Sequence, residues 1–396
     1  MSDSASTSPL RRSVRQTRDR MVTALITAGG IGVIVAVMGI GIFLAVEVLP
    51  LFWSSDIEMA SLWQAQSYQG LESPAHRWQP ALLEGDGEPR FGMLPLVWGT
   101  LEAAAWSLVM AVPLALGAAA HSALFMSPRL RDRLRPTLEL MEAMPGVVIG
   151  FIAGLVLAPW LDDHLAFGVV LVLLLPPGLL LAGGLLRRRL PMGWAALWLM
   201  PWLLVLWWVA SWLAPWLEAW WFNGSLRTWL EVHLGLEYAN RNAIIVGMAM
   251  GFAVMPSIYA LAEDALSGVP ANLVEGAEAL GATRWQTLWR VVLPAAAPGV
   301  FSAVMIGAGR AVGETMIVLM ASGNTALMTT NPLDGLRSMA ASIAIELPEA
   351  APGGTHYRLL LLAALLLFAF TFLVNTLAEV VRSRLRRRYR RLEGAP

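Results

Sequence analysis

Eight apolar runs, each near the length that crosses a lipid bilayer, decide what this chain can become. A membrane-crossing helix needs about 20 consecutive, mostly apolar residues. Runs of that kind fall near 22–49, 98–126, 139–161, 165–186, 194–217, 241–262, 295–321 and 356–381. In hydrocarbon every backbone N–H and C=O must find its partner inside the protein, so such runs become helices packed on one another. The expected fold is therefore all-α, a polytopic transmembrane helical bundle. Composition agrees: only 14% of residues are charged, against about 25% in soluble domains. The first run is too long for a signal-peptide core and lacks a small-residue cleavage site behind it, so it reads as an uncleaved anchor.

Arginine placement sets the orientation. Short cytoplasmic loops are enriched in basic residues. With the N-terminus inside, Arg11, Arg12, Arg15, Arg18 and Arg20 fall in the cytoplasm, followed by Arg129, Arg131, Arg133 and Arg135. Arg187, Arg188, Arg189, Arg284 and Arg290 join them, with Arg382, Arg384, Arg386, Arg387, Arg388, Arg390 and Arg391 in the tail. Outside lie only Arg77, Arg90, Arg227, Arg241, Arg337 and Arg358, among the acidic Glu84, Asp86, Glu88, Asp162, Asp163, Glu218, Glu231, Glu346 and Glu349. Dropping any one span puts Arg clusters on both sides, whereas dropping the fourth and fifth together preserves the parity. The chain divides into a cytoplasmic Arg-rich segment 1–21, a transmembrane domain 22–381 and a cytoplasmic Arg-rich tail 382–396. Topology and contact with anionic membrane lipid account for those tails, and no nucleic-acid role is needed.

The chain contains neither cysteine nor lysine. The first absence excludes disulfides and thiolate chemistry. The second excludes a phosphate loop of the Walker type, which needs a lysine. If ATP drives this protein, another chain hydrolyses it.

Between the sixth and seventh spans lies a loop at 270–294 with Glu275, Gly276, Ala277, Gly281, Val291, Leu293 and Pro294 at set spacings. Residues 271–280 favour a helix, Gly281 permits a sharp turn, and 283–292 favour a second helix ending at Pro294. The small residues Gly276, Ala277 and Ala279 would let the first helix seat deep in a partner's groove. An ordinary amphipathic connector is the plainer alternative. Over about 20 residues, however, the pattern resembles the EAA loop of ABC importer permeases, with Gly276 where that family usually has Ala. The resemblance implies a type I permease core of six spans and an ATPase subunit docked on this loop.

Within the seventh span, Gly307, Gly309, Arg310, Gly313, Glu314, Thr315 and Met316 form a second group. A charge at membrane depth is costly and usually faces a pathway or a partner. Four residues apart on one helix, Arg310 and Glu314 are expected to share a face and to pair. An Arg fork suits a tetrahedral oxyanion, and the anion would displace the carboxylate. A purely structural ion pair is the alternative.

The string from Arg310 to Met316 is similar to the PstC-like permeases of the phosphate-specific transport (Pst) family. Segments around Phe91–Thr100, Glu142–Gly150, Arg241–Pro256 and Ala262–Ala265 resemble them too, with Gly146 replacing the family's usual hydroxyl residue. The likeness covers roughly 20–160 and 238–390. It implies a permease for inorganic phosphate in a bacterial cytoplasmic (inner) membrane, non-catalytic itself, with Arg310, Glu314 and Thr315 on the substrate pathway. The implied partners are a second permease (PstA-like), an ATPase dimer (PstB-like) that uses ATP and Mg, and an extracytoplasmic phosphate-binding protein (PstS-like). No cofactor or metal is expected on this chain. Residues 165–235 match no part of the six-span core and read as an inserted two-span hairpin. Sulfate, molybdate or tungstate are the competing cargoes, and a secondary transporter is a more distant alternative.

Three further features carry less. The five histidines show no paired metal-ligand spacing, and Asp162, Asp163 and His164 read as a solvated external turn. Trp194, Trp198, Trp202, Trp207, Trp208, Trp212, Trp216, Trp220 and Trp221 crowd the fifth span, the end ones as interface anchors and the central ones as lipid-facing or packing bulk. Asn324, Thr325, Thr329, Thr330 and Asn331 either line an entrance or form a polar loop.

Overall fold

A computed structural model describes residues 9–53, 59–67, 74–80, 90–186 and 195–393. Arg187, Arg188, Arg189, Trp194, Glu84, Asp86 and Glu88 lie outside the described residues. In chain order the helices are α1 (Pro9–Val48), α2 (Leu94–Leu124), α3 (Pro128–Glu142), α4 (Gly146–Ile152), α5 (Ala158–Asp163), α6 (Leu165–Leu186), α7 (Ala195–Trp221) and α8 (Leu226–Leu234). They continue as α9 (Ala243–Ser267), α10 (Ala271–Ala279), α11 (Arg284–Thr287), α12 (Leu293–Gly313), α13 (Met316–Ala321), α14 (Met339–Glu346) and α15 (Thr355–Glu393). A two-residue ladder, Trp78–Gln79 with Arg90–Phe91, is antiparallel with Trp78 opposite Phe91.

Among the described residues, eight helical stretches are long and apolar enough to cross a membrane, and each overlaps one of the eight runs read from sequence. Two differ in detail. The third begins at Gly146 rather than 139, because the chain breaks between α3 and α4 at Pro145, whose ring disfavours helix at the residue before it. The seventh runs unbroken from Arg284 to Gly313, so Pro294 does not end a helix as expected. Residues Leu288–Val292 form a π turn, with Leu293 N–H donating to Leu288 O. The wider turn moves aside the carbonyl that a helical proline would strike and accommodates its missing donor. The same device, Ala153–Leu157, precedes Pro159 between α4 and α5.

The central helix is α9, with buried residues on all sides. Asn242 caps it, accepting from Ile245 N–H at 3.0 Å. Gly247 and Gly251 lie against the backbone of Trp106 and Ser107 on α2, and such small residues let two membrane helices approach closely. On its other flank Gly307 of α12 receives Ile258 and Val254 of α9. A stripe of Gly146, Gly150 and Gly154 at four-residue spacing seats the third span on Glu314, Ile317 and Met320.

A second core joins α1, α15 and the segment before α2 through Leu51, Leu62, Trp78, Met93 and Leu359 to Ala363. Its polar hub is the buried Glu346. That carboxylate accepts from Trp78 Nε1 at 3.1 Å, meets His356 Nε2 at 2.8 Å and pairs with Arg337.

Helices α6, α7 and α8 build a separate small core around Phe167, Val170, Ala210 and Leu226. Trp202 Nε1 donates to Gly178 O at 2.8 Å, while Trp208, Trp212 and Trp220 are exposed. In the turn after the third span Asp163 and His164 are exposed, as expected, while Asp162 is partly covered. Asp162 accepts from Arg227 Nη1 at 3.1 Å and Asn240 Nδ2 at 3.4 Å, fastening α8 to the chain before α9. Burial first, and Asp162 second, hold the Tyr238 phenol above its ordinary range.

Candidate functional site: an arginine in the last turn of α12 and its neighbours

The site is built from three helices. Ser257 lies ten residues before the end of α9, about 15 Å along the axis at 1.5 Å per residue. On α3, Glu142 lies eleven residues beyond Arg131, a similar rise. Arg131 pairs with Glu263 and donates to Ser267 Oγ at 2.7 Å, both near the end of α9. Thus α3 runs antiparallel beside α9 from the Arg-rich side into the bundle, and its last residue arrives level with Ser257.

Arg310, on α12, meets both. Its Nη1 donates to Glu142 Oε1 at 2.7 Å and to Ser257 Oγ at 2.5 Å. Ser257 Oγ in turn donates to Glu142 Oε1 at 2.7 Å, closing a triangle. The side chains of Arg310 and Glu142 remain 37% and 43% exposed, so the pair opens onto a face of the chain. Neighbouring Gly309 lies against Asn375 of α15, whose Oδ1 would be 3.0 Å from an added side-chain carbon.

The expected pairing of Arg310 with Glu314 is absent. Helix α12 ends at Gly313, and Glu314 adopts an extended backbone with ψ of 124°, so the two residues do not share a helix face. Glu314 Oε1 instead accepts from the backbone N–H of Met316 and Ile317, at 3.2 and 3.3 Å, and so starts α13. The same carboxylate lies over Gly146, where an added side-chain carbon would be 3.0 Å from Oε1. Gly146 therefore leaves the space that Glu314 occupies. Thr315 sits in the break, its Oγ1 donating to Gly313 O at 3.4 Å.

Sequence alone does not single out Glu142 and Ser257 as partners of Arg310. Their signals are faint: a carboxylate just before an apolar run, and a hydroxyl beside Pro256 within one. Neither indicates a partner 168 residues away in the first case and 53 in the second.

The loop between α9 and α12 is the other candidate surface. Helix α10 has no buried residue, and Gly281 turns with φ of +86°, a conformation that favours glycine. Thr283 and Gln286 then form a reciprocal capping box that starts α11. Nothing lies within 4 Å of a side-chain carbon placed on Gly276. Glu275 is exposed and Ala277 half-buried, while Leu280 is 91% exposed and Leu273, Trp285 and Trp289 are exposed beside it. Leu293 and Pro294 belong to the helix that carries Arg310. Beyond the opposite end of α12, Thr329 O accepts from Trp98 Nε1 at 2.8 Å and Asn331 Nδ2 donates to Glu237 O at 2.7 Å, so that polar loop is pinned to its neighbours.

Known proteins are similar to this chain over most of its length. The chain matches the model of the binding-protein-dependent transport system inner membrane component over residues 111–391. It is 24% identical over 374 residues to the probable ABC transporter permease protein YqgH of Bacillus subtilis (strain 168), covering 94% of this chain and 93% of that one. The phosphate transport system permease protein PstC 1 of Mycobacterium tuberculosis is 28% identical over 293 residues, 73% of this chain and 71% of its own. PstC of Mesorhizobium japonicum is 26% identical over 343 residues, 86% and 87% of the two chains. An inward-facing structure of the MetNI methionine ABC transporter aligns at a TM-score of 0.42 and 15% identity, over 74% of this chain and 95% of that one. The family match spans well over half of a multi-pass membrane chain, and this protein belongs to the binding-protein-dependent transport system inner membrane components, the permeases of ABC transporters.

Proposed function

We propose that this permease carries inorganic phosphate through a bacterial cytoplasmic membrane, with both termini in the cytoplasm. The observation that carries the proposal is Arg310, a guanidinium held half-exposed in the last turn of α12, beside a serine hydroxyl near the middle of α9. A planar fork of donors at membrane depth suits an oxyanion with several acceptor oxygens. The relatives named phosphate transport system permease proteins, aligned over most of this chain, favour phosphate among the oxyanions. Glu314 and Thr315, in the helix break just beyond Arg310, would shape the pathway there.

The exposed loop supplies the coupling. Glu275, Gly276, Ala277 and Gly281 would seat in a partner ATPase of a dimer that binds ATP with Mg, and Leu280, Trp285 and Trp289 would lose their exposure there. Motion of that ATPase would pass through Leu293 and Pro294 into α12, which carries Arg310. A second permease subunit would complete the pathway, and an extracytoplasmic phosphate-binding protein would deliver the anion.

Uptake of radiolabelled phosphate by a permease-deleted strain carrying this chain and its partners tests the proposal. Restored uptake that excess sulfate does not suppress, and that Arg310→Gln abolishes in an assembled complex, is expected. An assembled complex that hydrolyses ATP without taking up phosphate would refute the cargo, leaving sulfate, molybdate and tungstate to be tried.

A further inference from the structure

We infer that Glu142 is a tethered competitor for the transported anion, a carboxylate seated on Arg310 that must withdraw before the anion binds. The inference rests on Arg310 being the anion's station in the proposed function. The contacts argue for competition rather than cooperation. Glu142 Oε1 takes both Arg310 Nη1, at 2.7 Å, and the Ser257 hydroxyl, at 2.7 Å. These are the donors an oxyanion would use. A carboxylate is an acceptor only, so a fully ionised oxyanion arriving at the same nitrogen meets like charge at hydrogen-bond range. The pair is half-exposed on each side; it opens at a face of the chain rather than lying locked in a dry core.

The attachment of Glu142 suits withdrawal. It is the last residue of α3, and the chain leaves the helix at Ala143 before restarting at Gly146. At its other end α3 is fastened to α9. Arg131 pairs with Glu263, and Arg135 lies 3.1 Å from Asp264. Only Gly268, Val269 and Pro270 separate the end of α9 from α10, the exposed helix of the docking loop. A movement of that loop is thus passed by short, polar links to the helix that seats the competing carboxylate. Sequence spacing hides this arrangement, since Arg310 is matched not by the acid four residues on but by one from another helix.

The test is equilibrium binding of radiolabelled phosphate, and separately of radiolabelled sulfate, to the whole transporter complex in lipid nanodiscs without ATP. If Glu142 occupies the site about nine-tenths of the time, Glu142→Gln should tighten phosphate binding about ten-fold, by the fraction of sites released. Glu142→Asp, one methylene shorter but still charged, should fall between them and guards against a folding defect in the first variant. Binding by Glu142→Gln that is equal to or weaker than wild type, while Arg310→Gln abolishes binding, overturns the competitor and leaves the Arg310 station standing. Unchanged phosphate binding in Arg310→Gln removes the station itself, and this inference with it. A ten-fold gain seen for sulfate and not for phosphate upholds the competitor and refutes the cargo.

Discussion

The clamp between α3 and α9 should be measurable as a coupling energy. Glu263 is the group to perturb, because its side chain is only 2% exposed while its partners Arg131 and Arg135 are 29% and 42% exposed. Glu263 also accepts from Ser267 Oγ at 2.9 Å. Removing one member of a fully buried pair costs about 3–5 kcal/mol, because the other charge stays buried and unpaired. Here the arginines can turn to water, which lowers the cost toward that of a lost charge-assisted hydrogen bond, about 1.5–3 kcal/mol. Glu263→Gln keeps the shape and an acceptor for Ser267, so about 2 kcal/mol is expected. Thermal unfolding of the purified chain would report it as a fall of a few degrees. The discriminating assay is a double-mutant cycle with Arg131→Ala. If the pair holds α3, the two losses will fall short of additivity by about 1 kcal/mol or more. Strict additivity would refute the clamp. Each single variant should also bind phosphate more tightly than wild type, since a loosened α3 seats Glu142 less often; unchanged affinity would separate the clamp from the site.

Other perturbations test individual contacts. At Gly150 an added side-chain carbon meets Ile317 Cα at 2.9 Å, so Gly150→Leu should part the third span from α13, at a cost of about 1–3 kcal/mol in thermal stability. Gly276→Leu adds bulk where nothing stands within 4 Å; it should leave the melting temperature unchanged while reducing co-purification of the ATPase. Gly281→Val forces a branched side chain into φ of +86°, costing about 1–2 kcal/mol locally and loosening the same association. Glu346→Leu leaves Arg337 without its ion-pair partner and should destabilise the chain by about 3 kcal/mol, read as a lowered melting temperature. The raised phenol of Tyr238 favours the neutral form in the folded chain. Its contribution is fully present below the ordinary phenol range and is lost as pH rises through the raised value. Tyr238→Phe should therefore flatten the alkaline fall of stability measured as melting temperature against pH.

Much of the fold is legible because membrane helices are written locally. Run length locates all eight spans, and the glycine at 281 marks a turn that the backbone indeed makes with positive φ. Local rules fail where two effects compete at one residue. Pro294 reads as a helix stop on propensity alone, yet a π turn carries the helix through it. Glu314 reads as a helical neighbour of Arg310, yet it caps the next helix from an extended backbone. That capping satisfies two N–H groups at the start of α13, a requirement that outweighs a half-exposed ion pair.

The real partner of Arg310 is illegible for a different reason. Spacing arguments compare residues on one helix, whereas Glu142 reaches Arg310 through the packing of α3 on α9 and of α9 on α12. That packing follows from small residues and from the Arg131–Glu263 clamp, none of which mentions Arg310. A sequence reader who sees an arginine at membrane depth should therefore expect a counter-charge on some helix end that can reach the same level, and not only at four residues' distance. Here α3 rises from the Arg-rich side to end level with Arg310, and it ends on a carboxylate.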